Sequence, residues 1–265
     1  MALDPVTSES SSPHLPQLPR LGVNIDHVAT LRQLRGTPYP NLIQAVDASV
    51  RGGAEQITIH LREDRRHIQD ADVKTLRAHL ERAYRDRILL NLEMSLAPEI
   101  VRIALQVRPH WVCLVPEKRQ EVTTEGGLDL KRAQSKLKRV IPALQKKGIR
   151  VSLFIEPDLQ TVQYAHILGA DAIELHTGTY AVAAQKGKAS AKKRELRRIA
   201  EAAALGQRLG LSVHAGHGLD AKNVRDLAFD LGILEFNIGH FLICRAVDVG
   251  LERAVREMVA AIRAP

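Results

Sequence analysis

The sequence has few cysteines and no hydrophobic run long enough to cross a membrane. Its two cysteines, Cys113 and Cys244, stand among apolar residues, so we expect small buried thiols with no disulfide and no catalytic role. The longest apolar stretch, 228–244, is broken by Asp230 and Glu235 and cannot supply the ~18 apolar residues of a membrane span. We therefore expect a cytoplasmic protein that does not associate with a membrane.

Aromatic residues are also scarce, at 3% of the chain, although the formal net charge is +8. A basic chain suggests a nucleic-acid partner because Lys and Arg neutralise phosphates. The excess charge lies mostly in 131–139 and 186–198, which is typical of solvated helix faces, and side chains on which bases stack are rare. We expect no nucleic-acid partner.

The first 20 residues lack both the basic and the apolar segment of a secretory signal, and they contain four serines and four prolines. This composition predicts a flexible N-terminal tail at 1–20. The remaining residues, 21–265, are then expected to form one catalytic domain.

Short apolar or β-branched runs recur about every 30 residues, the length of a strand, a loop and a crossover helix. Eight such runs occupy 21–26, 56–61, 89–94, 111–116, 150–156, 172–177, 211–217 and 233–239. Their number and spacing predict an α/β protein, a (β/α)8 TIM barrel with additional helices. A doubly wound sheet is the alternative, but no glycine-rich fingerprint follows the first run.

The segments between the runs predict helices and long loops. Helical spacing predicts helices over 131–147, 194–209 and 244–262, and a helix start at Asp220. Connections 27–40, 117–128 and 178–190 exceed what a barrel needs, so we expect three loops that cover the barrel mouth.

All eight runs end in polar or ionisable residues, and one carboxylate, Glu93, lies within the run LLNLEM. A buried carboxylate costs several kcal/mol unless it is paired, so folding alone does not explain Glu93. Because the carboxyl ends of barrel strands meet at one rim, this pattern predicts an active site there.

The residue types at this rim favour proton transfer over metal or nucleophilic chemistry. The His-x-His of metal-dependent barrel hydrolases is absent, as is Gly-x-Ser-x-Gly, so we expect no metal, no cofactor and no serine nucleophile. Glu and His as general acids and bases remain, with Arg available for anions.

Two glycine-containing turns favour a phosphorylated substrate. They lie at 216–218 and 237–240, after the seventh and eighth runs, where barrels often bind phosphate. Arg62, Arg65 and Arg66 are candidates for a second anion site, with a solvated salt-bridge network as the alternative.

The motifs resemble those of the pyridoxine 5′-phosphate synthase family of vitamin B6 biosynthesis. The similar stretches are 22–32, 58–67, 91–94, 114–129 (LVPEKRQEVTTEGGLD), 151–155, 173–178, 215–219 and 237–240. They occur in order along most of the chain, and the stretch 114–129 is the most specific of them.

The resemblance implies a homo-octameric barrel enzyme that condenses 1-deoxy-D-xylulose 5-phosphate with 3-amino-2-oxopropyl phosphate without a metal. The products would be pyridoxine 5′-phosphate, phosphate and water. By the same resemblance, His60 and Glu93 would accept protons, His217 would donate one, and Glu174 would join Glu93 as a second proton shuttle. The aminoketone phosphate would contact Asn24, Arg35, Gly218, Gly239 and His240, and the deoxyxylulose phosphate Asp26, His27, Arg62, His67 and Thr123.

Two alternatives are a different metal-independent barrel aldolase or isomerase acting on sugar phosphates, and a catalytically inactive barrel that binds pyridoxine phosphates or RNA.

The chain departs from the family pattern at His214, where the family usually has Asn, and at 1–20 and 82–87. Whether His214 perturbs the neighbouring His217 stays open at this point.

Overall fold

Eight parallel strands close into a barrel in chain order, in a computed structural model that describes residues 18–117, 126–229 and 231–263. The strands are β1 Arg20–Asn24, β2 Gln56–His60, β3 Leu89–Met94, β4 Trp111–Leu114, β5 Arg150–Ile155, β6 Ala172–His176, β7 Ser212–Gly216 and β8 Glu235–Ile238. Strand β1 pairs with both β2 and β8, which closes the barrel. The predicted (β/α)8 barrel is confirmed.

Apolar and polar side chains alternate along the strands. The apolar ones face the helices, and the polar ones point into the barrel. In β2, Ile57 and Ile59 belong to the hydrophobic core between strands and helices. Gln56 and Thr58, which alternate with them, hydrogen-bond to Asn237 of the non-adjacent strand β8, so both side chains point into the barrel. The interior therefore holds buried polar side chains that hydrogen-bond across the barrel.

Eleven helices are described, and they surround the barrel. They are α1 Asp26–Arg35, α2 Leu42–Arg51, α3 Asp70–Tyr84, α4 Pro98–Val107, α5 Leu130–Gln145, α6 Leu159–Ile167, α7 Gly178–Gln185, α8 Ala189–Arg208, α9 Arg225–Ala228, α10 His240–Val249 and α11 Leu251–Arg263. Helices α1, α7 and α10 are additional to one helix per strand and begin directly after β1, β6 and β8, so their N-terminal turns lie at the barrel mouth.

Two of the three predicted loops are wrong. Segment 27–40 consists mostly of α1, which ends where Gly36 adopts a left-handed conformation with φ +62°. Segment 178–190 contains α7. Of the third, 117–128, residues 118–125 lie outside the described residues. Helix α1 buries only three side chains and α7 has apolar residues on several sides, so neither shows a clear helical period in the sequence.

Three smaller expectations also need correction. The predicted helix 244–262 is two helices, because Gly250 at φ +81° separates α10 from α11. The helix expected to start at Asp220 starts at Arg225, since the Asp220 carboxylate instead accepts from the backbone N–H groups of Lys222 and Asn223 and forms a turn. Cys113 is buried as expected, whereas Cys244 is exposed.

The N-terminal expectation falls mostly outside the part of the chain that the structure describes, since residues 1–17 are not included. Strand β1 begins at Arg20, the last residue of the predicted tail. Among the described helices, none combines the length and the apolar character needed to cross a membrane.

Candidate active site

A cavity of about 830 Å³ opens at the carboxyl ends of the strands. The cavity wall includes most of the residues that the sequence nominated: Asn24, Asp26, His27, His60, His67, Glu93, Glu174, His217, Gly218, Gly239 and His240. These residues belong to six of the eight strands or to the segments that directly follow those strands. Barrel closure thus brings distant motifs to one site.

Of the site residues predicted from the sequence, Arg35 and Arg62 are not part of this wall, and a third lies outside the described residues. Arg35 is exposed at the C-terminal end of α1. Arg62 is half-buried just after β2, with its Nε 3.3 Å from Asp64 Oδ1. Thr123 lies outside the described residues. Arg65 and Arg66 pair with Asp70, Glu99 and Asp64, so they form the salt-bridge network given above as the alternative to an anion site.

Asp26 connects β1 to β2 at the cavity wall. One carboxylate oxygen accepts from the backbone N–H of His60 at 2.8 Å, and the other accepts from the Asn24 amide at 2.9 Å. Burial raises the pKa of Asp26 to about 6, against the opposing effects of His60, Asn24 and Arg62. Asp26 therefore titrates close to neutral pH.

His60 lies between two carboxylates. Its Nε2 is 3.0 Å from Glu117 Oε1, and its Nδ1 is 3.9 Å from Glu93 Oε2. Glu117 is the first residue of the predicted connection 117–128, and the sequence indicated no role for it. Its contact with His60 joins β2 to the segment after β4 and cannot be seen in either motif alone.

The two central carboxyls hold protons more tightly than ordinary glutamates. Burial, followed by the charges of Glu174 and Asp26, raises the pKa of Glu93 well above its usual range. Burial and the charge of Glu235 raise the pKa of Glu174 to about 7, although Asn237 donates to its Oε2 at 2.9 Å. A carboxyl such as Glu174, with a pKa near neutral pH, suits general acid and base catalysis.

His217 occupies a strained turn after β7. Its φ is +81°, a left-handed conformation that is uncommon outside glycine. The Thr177 hydroxyl donates to the carbonyl oxygens of Gly216 and His217 at 2.7 Å and holds this turn. Burial and the neighbouring His176 lower the pKa of His217. The imidazole therefore faces the cavity in a fixed orientation and favours its neutral form.

His176 and Glu156 are site residues to which the sequence analysis gave no role beyond their position at strand ends. The two rings of His176 and His217 pack edge to face, with centroids 4.9 Å apart. His176 Nδ1 lies 2.9 Å from Glu156 Oε1, which also accepts from the backbone N–H of Gly127 at 2.8 Å. The His176–Glu156 pair therefore packs against the ring of His217.

The segment that follows the adjacent strand β8 suits an anion. Helix α10 begins at His240 directly after Gly239, so its unpaired backbone N–H groups lie beside the cavity wall. The rings of His27 and His240 contact each other, with centroids 5.2 Å apart. A side chain at Gly239 would collide with Asn24. Backbone N–H groups and two imidazoles together can bind a phosphate.

One oxygen or nitrogen from each of Asp26, His60 and Glu93 lies within 4.8 Å of the others, a spacing that a divalent ion can bridge. Metal ligands must be deprotonated, however, and the pKa of both carboxyls is raised. Binding of an ion at this cluster would therefore displace the protons of Asp26 and Glu93.

His214 is buried inside the barrel and is not part of the cavity wall as described. Its Nδ1 is 3.5 Å from Glu235 Oε1, and its ring packs on Trp111 with centroids 5.2 Å apart. The partner of this residue is thus Glu235 rather than His217.

Gly216→Ala is expected to reduce kcat by about 10- to 10²-fold, because the added methyl group would overlap Glu174 Oε1 and displace the carboxyl. Steady-state kinetics check this, with circular dichroism to show folding. The control is Ser212→Ala at the other end of β7, which should retain kcat. Unchanged kcat in folded Gly216→Ala would show that Glu174 need not occupy this position.

Comparison with known proteins agrees with this architecture. Chains of low identity share the fold alone: a native KDPGal structure has a TM-score of 0.61 at 15% identity, covering 97% of each chain. A tryptophan synthase structure from M. tuberculosis has a TM-score of 0.59 at 12% identity, covering 94% of each chain.

Other proteins have a much higher sequence identity to this chain. Pyridoxine 5′-phosphate synthase of Syntrophotalea carbinolica is 53% identical over 90% of this chain and 96% of its own length. The protein of that name from Bdellovibrio bacteriovorus is 50% identical, with the same coverage. The model of a family described as pyridoxal phosphate biosynthesis protein PdxJ matches residues 21–264. The chain therefore belongs to the PdxJ family of pyridoxal phosphate biosynthesis proteins.

Proposed function

We propose that this enzyme is a pyridoxine 5′-phosphate synthase that condenses 1-deoxy-D-xylulose 5-phosphate with 3-amino-2-oxopropyl phosphate. The observation that carries the proposal is a single cavity in which Glu93 and Glu174, both with raised pKa values, lie with His60 and His217. Its volume of about 830 Å³ is large enough for two small phosphorylated molecules. The relatives that carry this name support it.

The two phosphorylated substrates are assigned to different parts of the cavity. The aminoketone phosphate binds at the start of α10, to Gly239 and His240, with Asn24, Gly218 and Arg35 completing its site. The deoxyxylulose phosphate binds Asp26, His27, His67, Arg62 and Thr123. Burial and the charges of His60 and Arg62 lower the pKa of His67 to about 4, so His67 binds as a neutral ring.

The reaction explains why so many titratable groups are present. The amine of one substrate attacks a carbonyl of the other, and water and phosphate must leave before the ring becomes aromatic. Each step moves a proton between carbon, nitrogen and oxygen. Glu93 and His60 accept protons from one side, and Glu174 shuttles them near the barrel axis. His217 donates a proton from the opposite wall.

The direct test incubates purified, chelator-treated protein with both phosphates and follows pyridoxine 5′-phosphate by absorbance and mass, omitting each substrate in turn. We expect product only when both are present. Absence of product from folded protein, with a control enzyme active, would contradict the proposal. Turnover of the sugar phosphate alone would instead indicate a barrel isomerase or aldolase.

Arg62→Ala is expected to raise the KM for the deoxyxylulose phosphate by about 10- to 10²-fold, the effect of losing a charge-assisted hydrogen bond, and to raise the KM for the aminoketone less. Initial rates with each substrate varied check this. Arg66→Ala is the matched control, since its side chain is 61% exposed and pairs with Asp64. An equal rise for both substrates would remove Arg62 from the deoxyxylulose site.

Assembly and location follow the same family proposal: a cytoplasmic homo-octamer. Exposed apolar side chains on and after α1 and on α10, namely Leu31, Leu34, Tyr39 and Val247, support assembly because a partner subunit would cover them. Light scattering of the purified protein decides the number of subunits.

A further inference from the structure

Glu117 lies three residues after the end of β4, with a side chain that is 3% exposed. Its two carboxylate oxygens face two different donors. Oε1 is 3.0 Å from His60 Nε2, and Oε2 accepts from the backbone N–H of Glu63 at 2.9 Å. Two donors on separate residues, one at the end of β2 and one in the turn after it, fix the plane of the carboxylate relative to the imidazole.

The charge of Glu117 determines which nitrogen of His60 carries the proton. Burial alone would raise the pKa of Glu117, but the hydrogen bonds from His60 and the Glu63 N–H hold it below its ordinary value. An ionised carboxylate only accepts hydrogen bonds, so Nε2 of His60 carries hydrogen. In the neutral ring Nδ1 is then an acceptor, and it lies on the side of Glu93, 3.9 Å from Oε2.

The backbone of His60 is held as well as its ring. Its N–H donates to Asp26 Oδ1 at 2.8 Å, so the residue is fixed at the backbone by one carboxylate and at Nε2 by another. The ring nitrogen that faces Glu93 is therefore positioned by contacts that exist before substrate binds.

We infer that Glu117 is a positioning residue that fixes the orientation and tautomer of His60, so that Nδ1 is the nitrogen available to accept a proton in the cavity. This inference rests on the proposed function, in which His60 is a proton acceptor. The arrangement is one in which a carboxylate on one imidazole nitrogen determines the chemistry of the other.

Glu117→Gln tests the inference sharply because the two partners described above, His60 Nε2 and the Glu63 N–H, are both donors. A glutamine amide accepts on one side only. If its oxygen faces the Glu63 N–H, its NH2 group donates to His60 Nε2 and the ring proton moves to Nδ1. If its oxygen faces His60, the NH2 group opposes the Glu63 N–H and a buried donor loses its partner. The first arrangement satisfies the Glu63 N–H, the glutamine amide and His60 Nε2, so we expect it.

We expect Glu117→Gln to lower kcat by about 10²- to 10⁴-fold, within the range of general base catalysis, while KM for either substrate changes less than about threefold. The matched control is Asp47→Asn, which alters a carboxylate–imidazole pair outside the cavity. Asp47 Oδ1 lies 2.7 Å from His79 Nε2, between α2 and α3. This control should retain kcat.

A second measurement does not depend on turnover. ¹⁵N NMR of histidine-labelled protein, with the His60 signals assigned from His60→Asn, reports the tautomer at about pH 8.5, where ordinary imidazoles are neutral. We expect Nε2–H in the wild type and in Asp47→Asn, and Nδ1–H in Glu117→Gln. Circular dichroism establishes that each variant is folded.

The outcomes separate the inference from the proposed function. Nδ1–H in the wild type, or Nε2–H retained in folded Glu117→Gln, would overturn the inference. A changed tautomer with unchanged kcat would support the positioning of the ring by Glu117 and contradict the proton-acceptor role of His60. A changed tautomer with the expected loss of kcat supports both.

Discussion

Glu93→Gln is expected to lower kcat by about 10²- to 10⁴-fold, the usual contribution of a general acid or base. Glu93 lies in β3, where its side chain is 17% exposed and faces the cavity. Burial, and then the charges of Glu174 and Asp26, raise the pKa of Glu93 well above the usual range of a glutamate, so this carboxyl holds its proton more tightly than an ordinary one. Glutamine keeps the shape of the side chain but cannot transfer the proton.

Single-turnover and steady-state rates with both substrates measure this effect. The matched control is Glu81→Gln on α3, whose side chain is 69% exposed, and it should retain kcat. Circular dichroism verifies folding. If folded Glu93→Gln turned over at nearly the wild-type rate, Glu93 would have no part in proton transfer.

Glu174→Gln is expected to have two effects of opposite sign: a loss of about 10²-fold or more in kcat and a gain in stability above neutral pH. The loss follows from its role as a proton shuttle. The gain follows from its environment, because the side chain is buried beside Glu235 inside the barrel. Functional carboxyls in such positions commonly reduce stability.

The sign of the stability effect follows from proton binding. Burial and Glu235 raise the pKa of Glu174 from 4.5 to about 7 in the folded protein. The folded state therefore binds its proton more tightly than the unfolded chain does, and stability falls as pH rises from 4.5 to about 7. Above that window, ionisation of Glu174 has lowered the free energy of unfolding of the wild type by about 3 kcal/mol relative to its value below the window. Glutamine carries no proton to lose, so Glu174→Gln lacks this decrease.

Urea unfolding at a series of pH values measures the difference between wild type and variant. We expect the free energy of unfolding of Glu174→Gln to increase relative to the wild type as pH rises through the window, whereas Glu81→Gln should follow the wild type throughout. A constant difference at all pH values would show that Glu174 ionises normally in the folded protein.

The barrel could be predicted from the sequence because each strand carries its own signal. Runs such as 56–61 and 89–94 are apolar, and they recur at the spacing of one strand–helix unit. The predicted runs overlap all eight strands. Helices α1 and α7 were missed because a short helix that lies over the barrel mouth buries few side chains, and little apolar periodicity remains to reveal it.

Most residues of the site could also be predicted from the sequence. Polar residues at strand ends must meet at one rim when the strands are parallel, so Asp26, Glu93 and His217 were expected to be neighbours before any distance was known. What the sequence did not show is which side chains touch. The contact of Glu117 with His60 joins two strands that are not adjacent, β2 and β4, and is set by barrel closure.

The sequence by itself thus determined the barrel and most of the residues in the cavity wall, because both follow from local periodicity and from the direction of parallel strands. The tertiary structure alone decided the protonation of those residues. The pKa of Glu174 depends on burial, on Glu235 and on Asn237, all of which act through space across the barrel. Burial, and short distances between residues far apart in sequence, arise only when the barrel has closed.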